Sequence, residues 1–440
     1  MRKIRACRAA IDFATPGAYY PIEGAAVNSP AAAAPVSMVS TKWILHHSPR
    51  EPTMRKSLSL LATAATAAVF LTSGTAAGAA PGANASGNGG GNAGEAAPVV
   101  LTGRLVGPLH VSARHHGSVT VSESFAGRVT RVDSEGNQKV LYETPDWSVA
   151  GNAQRDGKTY FLESQGAGPD PAELAGHVRI IDEDGHQRTL GDFAALETED
   201  NADGTTRYGF RDLPDGCAAQ LPANMPASYK GEVDSHPYAI AVTEGAFYVA
   251  DAGANSVVSV DARSGTTETV AVLPPRPYKI TPEAAASNGL PDCVVGTTYD
   301  FEAVPTDVAV GPDGWLYVTS LPGGPEDPAL GPRGAIFKVN PDDNEVKLVA
   351  EDIMSPTGLV LDDNGDMYVA SLFGEGVLRI DPDSGEQTVV LAAGFAADVD
   401  LRGHILYATV NALPGPGGPP DGQVMYLDLE SGRHDGPAKS

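Results

Sequence analysis

The sequence predicts an all-β fold: a six-bladed β-propeller of four-stranded antiparallel blades, with the N-terminal strand closing the last blade. Three observations carry this: a turn-rich composition, a unit that recurs six times, and a final unit one strand short. Among 440 residues, 50 Gly and 35 Pro are too many turn formers for a helical bundle, while 42% hydrophobic content is too much for wholesale disorder.

The clearest unit begins at Pro356-Thr357-Gly358-Leu359-Val360-Leu361 and continues through Met367-Tyr368-Val369-Ala370-Ser371. Gly376-Val377-Leu378-Arg379-Ile380-Asp381 and Thr388-Val389-Val390-Leu391 complete it. Short β-branched and aromatic runs between Gly, Asn and Asp turns are strands, so each unit supplies four. Further copies start near Leu109, Val149, His236, Val304 and Ala397. Units that cannot bury their own apolar faces stack on their neighbours, and radial stacking of four-stranded sheets makes a propeller. A β-sandwich does not require the same landmarks in the same order six times. Tyr160, Tyr248, Tyr317, Tyr368 and Tyr407 recur in the second strands and are expected between blades. The sixth copy ends at Leu429 after three strands; the apolar run Val99 to Leu105 is assigned as its fourth, because an unclosed ring exposes a strand edge.

Ahead of the repeat, Met54-Arg55-Lys56, the apolar stretch Leu58 to Leu71 and the small residues Ala76 to Ala80 read as a secretory signal peptide over 54–80. Thr63, Thr66, Thr72, Ser73 and Gly74 break it short of the roughly 20 apolar residues of a membrane span. Residues 1–53 read as an extension upstream of the true start, 81–98 as a flexible Gly/Asn/Ala linker, 99–430 as the propeller and 431–440 as a disordered tail. The expectation is a secreted monomer with no transmembrane anchor after processing. With Lys+Arg 30 against Asp+Glu 55 the net charge is −25, which leaves no basic footprint for nucleic acid.

Connections from first to second and from third to fourth strands leave a blade on one face, and they are short: Glu244-Gly245, Ser264-Gly265, Asp313-Gly314, Asn364-Gly365 and Ser384-Gly385. The opposite face takes every long insertion: Gln165 to Gly176, Leu196 to Ser235, Pro274 to Val304, Leu321 to Gly334 and Asn411 to Gly422. Long loops on a rigid scaffold carry function more often than tight turns do, so this face is the candidate site. Three of these loops are Gly/Pro-rich and hold Asp170, Glu326 with Asp327, or Asp421, oxygens of the kind that ligate calcium.

No nucleophile elbow, zinc-protease helix, Walker loop or dinucleotide fingerprint occurs. The remaining candidates are polar residues at the starts of innermost strands, His236, Asp307, Thr357, Asp398 and Asp400, with Glu302 and Asp234 just ahead of such strands. Converging carboxylates and a neutral imidazole can hold a cation and activate water; Asp307 and Asp398 are the metal candidates. His236 and Asp307 read equally as hydrogen-bonded residues at strand starts. Glu123, Glu163 and Asp251, which end second strands, read as structural acceptors. Two functions follow: a scaffold binding a small molecule or extracellular protein through the loop-rich face or, alternatively, a calcium-assisted hydrolase or lactonase at the channel mouth.

Cys217 and Cys293 fall in insertions that leave successive blades and should lie side by side. Cys7 precedes the signal, so the exported chain would hold just this pair, and a disulfide between them is expected.

The segments Glu302 to Pro328, Gly231 to Tyr238 and Gly289 to Gly296 resemble the ScyD/ScyE family of exported bacterial proteins, over nearly all of 99–430. That resemblance implies the fold and export, and no catalytic residues. More distantly the units resemble NHL repeats and six-bladed calcium-dependent lactonases, which display a Glu and several Asn around one metal. Asn is sparse near the innermost strands here.

Overall fold

The computed structural model describes residues 97–166, 173–326, 328–413 and 419–430. The extension 1–53, the signal segment 54–80, nearly all of the linker 81–98, the tail 431–440, and the loop residues Asp170 and Asp327 lie outside them.

After strand β1 (Val99–Leu105), the chain builds a first sheet from β2 (Pro108–Ala113), β3 (Val119–Glu123), β4 (Arg128–Val132) and β5 (Gln138–Glu143). A second follows from β6 (Ser148–Arg155), β7 (Lys158–Gln165), β8 (Ala175–Ile181) and β9 (Gln187–Leu190). Helix α1 (Phe193–Asp200), β10 (Arg207–Phe210) and β11 (Ser228–Lys230) precede a third sheet of β12 (Pro237–Val242), β13 (Ala246–Asp251), β14 (Ser256–Asp261) and β15 (Thr267–Val272). Strand β16 (Arg276–Lys279), helix α2 (Pro282–Ser287) and β17 (Thr298–Phe301) then lead into β18 (Ala303–Val310), β19 (Leu316–Pro322), β20 (Gly334–Val339) and β21 (Val346–Ile353). The fifth sheet is β22 (Pro356–Leu361), β23 (Met367–Ser371), β24 (Gly376–Ile380) and β25 (Gln387–Ala392); the sixth is β26 (Asp398–Arg402), β27 (Ile405–Val410) and β28 (Gly422–Asp428), completed by β1. β1 pairs antiparallel with β28, Val99 facing Tyr426 and Leu105 facing Gly422, as the one-strand deficit requires.

The first strands of these six sheets touch in chain order, and β26 returns to β2. Each neighbouring pair shares its own apolar cluster: Val129 with Phe161, Leu162 with Val249, Val257 with Phe337, Ile336 with Val369, Val377 with Leu406, and Leu105 with Val121. Second strands are buried on both faces, as in β3 and β23, with the polar Thr120, Ser122 and Glu123 of β3 buried alongside its valines; the outermost strands β5 and β9 are largely exposed. Tyr160 packs on Phe247 of the next sheet at 5.1 Å, the between-blade role expected of the recurring tyrosines.

In four of the six blades the Asp that ends the third strand is explained by its turn. Asp133, Asp182, Asp261 and Asp381 each accept main-chain N–H groups two to four residues on, replacing the ladder bonds the strand loses there.

The insertions 196–235 and 274–304 correct the expectation from sequence: they read as loops, yet they pair with each other as a seventh four-stranded sheet, β11-β10-β17-β16. It has a core of its own around Phe210, Ile280, Val294, Tyr299 and Phe301. β10 pairs with β11 inside the first insertion and β16 with β17 inside the second, and β10 pairs with β17 to join the two ribbons, which stand outside the repeat that announces the other six sheets. Arg333, from the insertion after β19, stacks over the Phe301 ring at 4.5 Å, and Gly324 abuts the same ring, bringing a third insertion to this sheet.

Candidate functional site

Asp307, Asp398 and Asp400 lie on innermost strands, and all six of their carboxylate oxygens accept a main-chain N–H. In each, one oxygen takes the N–H of the following residue: Val308, Val399 and Leu401, at 2.7, 2.8 and 2.7 Å. The other oxygen reaches the neighbouring innermost strand: Asp307 to Leu359, Asp398 to Val111 and Asp400 to Ala113, at 2.5, 2.7 and 2.7 Å. Innermost strands have no ladder partner on their axial side, so these side chains substitute for one. Hydroxyls do similar work, Thr306 donating to the Pro356 carbonyl at 2.8 Å and Ser122 to that of Ala150 at 2.8 Å.

The carboxylates are close enough to feel one another. Burial, then the Asp400 charge, pushes Asp307 up to about 7; burial pushes Asp400 up to about 6. Asp398 is raised well above the ordinary range by burial and by Asp307.

Two aromatic residues without a distinctive mark in the sequence complete the group. His110, 2% exposed, stands edge-on to Tyr238 at 4.6 Å, with Nδ1 3.9 Å from Asp398 Oδ2. Burial, then His236, lowers its pKa to about 3, so it is neutral. His236 lies 6.1 Å from Tyr238, with Nδ1 3.4 Å from the Ser164 hydroxyl. His110 sits in a divergent copy of the repeat, which hid it; its position directly after Pro108-Leu109, like Asp307 after Pro305-Thr306, was the available signal. Thr357 is buried in the fifth first strand, and its hydroxyl has no partner among the described residues.

Asp234 and Glu302 fall elsewhere. The main-chain N–H of Asp234 approaches Glu197 Oε1 at 3.5 Å, and Glu302 acts electrostatically on Tyr208, so both belong beneath the seventh sheet. Glu123, Glu163 and Asp251 are structural acceptors. Glu123 binds Arg128 and Thr130, and Asp251 takes Ser235 Oγ and the His236, Gly253 and Ala254 N–H groups. Burial alone would raise Glu163, but hydrogen bonds led by His177 outweigh it and hold the carboxyl below its usual value. Glu326 of the Gly/Pro loops accepts from Ser355 at 2.6 Å and lies 3.8 Å from Arg333, which leaves it poorly placed as a calcium ligand; Asp421 is exposed.

A lactonase-type cation on the axis does not fit this donor set. Every oxygen of Asp307, Asp398 and Asp400 is engaged by main chain, which leaves none of them free for a metal. Chemically the axis is a polar stitch. The expected disulfide is present: Cys217 and Cys293 are bonded, with Cα atoms 5.8 Å apart, and Arg211 grips Asp300 through two bonds of 2.7 Å in the same sheet.

No family model matches this chain, and no curated protein does. Similar solved structures include a Xanthomonas campestris gluconolactonase, at 15% identity, 76% of this chain and 89% of that one, with a TM-score of 0.45. The PQQ-bound aldose sugar dehydrogenase of Streptomyces coelicolor shows 15% identity, 75% and 96% coverage and a TM-score of 0.45. A Staphylococcus aureus virginiamycin B lyase shows 15%, 69% and 77%, and 0.37. Likeness at this distance assigns none of these chemistries to the chain.

Proposed function

We propose that the chain is an exported binding propeller, of the ScyD/ScyE type its repeat resembles, which presents its insertion-bearing side to an extracellular ligand or protein. The observation that carries this reading is the cross-linked seventh sheet. Two insertions separated by a whole blade are joined by strand pairing, by the Cys217–Cys293 bond and by the Arg211–Asp300 pair. A surface braced in this way gives up little conformational freedom on binding, which is what a recognition surface needs. The axial carboxylates, by contrast, are occupied with holding strands together, which weakens the hydrolase alternative. Export through the segment 54–80 would deliver the cysteines to an oxidising compartment.

The test compares secreted wild type with the Cys217→Ser/Cys293→Ser variant. Both are assayed against a panel of lactones and esters in calcium buffer, and both are cross-linked to the extracellular fraction of producing cells. The expected result is no turnover above a heat-denatured control, and a discrete adduct that the variant loses while keeping its β-sheet circular dichroism. Lactone turnover abolished by Asp398→Asn would replace the binding reading with the hydrolase.

A further inference from the structure

Helix α1 ends with the wrong charges. Glu197, Glu199 and Asp200 occupy its last turn with no basic residue among them, where the helix dipole is already negative, and Asp203 follows three residues later. Glu197 and Asp203 are 3% and 1% exposed, and Asp251 of the third blade, also 1% exposed, is near enough to act on Glu197. Among the described residues none of the three carboxylates has an ion-pair partner. Buried carboxylates without a counter-charge are costly and must keep a proton or acquire a cation.

The second observation concerns oxygens without partners. Asp203 Oδ2 accepts from the Tyr208 hydroxyl at 2.9 Å and from Asn255 Nδ2 at 2.8 Å, but Asp203 Oδ1 has no partner among the described residues. Asn255, 2% exposed, spends its amide NH2 on Asp203 and leaves its own Oδ1 without a partner among the described residues. Among the described residues Glu197 accepts only the N–H groups of Ala202 at 3.2 Å and Asp234 at 3.5 Å. Gly231 packs on the Asp203 carboxylate so closely that any side chain there would collide with it. Asp251, by contrast, already accepts four hydrogen bonds and contributes charge alone.

We propose that this buried group of oxygens binds one hard divalent cation, of the calcium type, through Asp203, Glu197 and Asn255, and so ties the seventh sheet to the third blade. The donors are carboxylate and amide oxygens, the set calcium prefers, and amide or main-chain oxygens complete its shell. Asp203 connects the two bodies: its partner Tyr208 belongs to β10 and its partner Asn255 to the β13–β14 turn. No three carboxylate or imidazole ligand atoms of this group stand within 4.8 Å of one another, so binding draws the ligands together at the expense of affinity. The described residues that do meet that spacing are Asp182, Asp184 and His186 in a surface turn, which makes them the natural control.

The experiment uses the secreted chain, with terbium and calcium as probes. Excitation of tyrosine should yield terbium emission through Tyr208, calcium should displace it, and millimolar calcium should raise the unfolding midpoint. Asp203→Asn and Glu197→Gln should each weaken terbium and calcium binding at least tenfold, and Asp182→Asn should leave both unchanged. Glu197→Gln keeps an acceptor for Ala202, so in chelator at pH 8.5 it should unfold no earlier than wild type. The proposal is overturned by absence of a cation response in wild type, by a response that survives Asp203→Asn and Glu197→Gln, by one that Asp182→Asn removes, or by early unfolding of Glu197→Gln in chelator.

Discussion

Asp398 Oδ2 lies 2.7 Å from the main-chain nitrogen of Val111, a residue 287 positions earlier, and joins the last blade to the first. Asp400 repeats the contact two residues on, at Ala113. The ring is therefore closed twice, at its periphery by the β1–β28 ladder and at its axis by two carboxylates.

Replacing Asp398 by alanine leaves the buried Val111 and Val399 N–H groups without acceptors. Such groups cost about 1–3 kcal/mol each, so Asp398→Ala should lose on the order of 2–4 kcal/mol of unfolding free energy. Asp398→Asn, which keeps one oxygen, should lose less. Urea titrations of the three proteins measure the order; an alanine variant as stable as wild type would show that closure rests on β1 alone.

Stability should fall as pH rises from 5 to 8. An unfolded aspartate titrates near 3.9, whereas Asp400 and Asp307 in the fold titrate at about 6 and about 7. Below about pH 4 both states hold the proton. Above it the unfolded chain releases protons that the fold retains, so each of these groups costs the fold about 1.4 kcal/mol for every step of one in pH, until pH passes its folded value. The combined loss amounts to a few kcal/mol. The turn aspartates Asp133, Asp182, Asp261 and Asp381, held below their usual values by hydrogen bonds, act oppositely in stronger acid and place the optimum near pH 4. Calorimetric midpoints across this range decide the matter, and a midpoint that climbs from pH 5 to 8 contradicts it.

Gly151→Ala should destabilise by roughly 1–3 kcal/mol or more, because its Cβ would stand 2.5 Å from Ala239 Cα and 2.8 Å from the Tyr238 carbonyl oxygen, both main chain. Gly245→Ala faces open space in a short turn and should change stability by no more than about 0.5 kcal/mol. Thermal denaturation of the pair tests whether the innermost strands approach this closely; equal midpoints would show that they do not.

Much of the architecture was legible from local pattern. A strand buried on both faces is rich in apolar and β-branched residues, a turn favours Gly, Asn or Asp, and both marks recur because each sheet meets the same surroundings. The missing fourth strand after Leu429 pointed to Val99–Leu105 by arithmetic alone. The Cys217–Cys293 bond followed from two cysteines on neighbouring insertions.

The site was less legible, because the meaning of a carboxylate depends on what lies across the axis. Asp307, Asp398 and Asp400 stand out by their place on first strands, but that each would serve the next strand's main chain is a relation between blades. His110 and Tyr238 converge only when the first and third blades meet at the axis. Glu197 and Asp203, which belong to no repeat, and Asn255, in a turn of the third blade, are spread over 58 positions and have nothing in common until the ring closes. Strand order and closure came from periodic burial, which every residue of a unit reports; the pairing of the seventh sheet and the grouping of buried charges came from packing between units, which no single unit encodes.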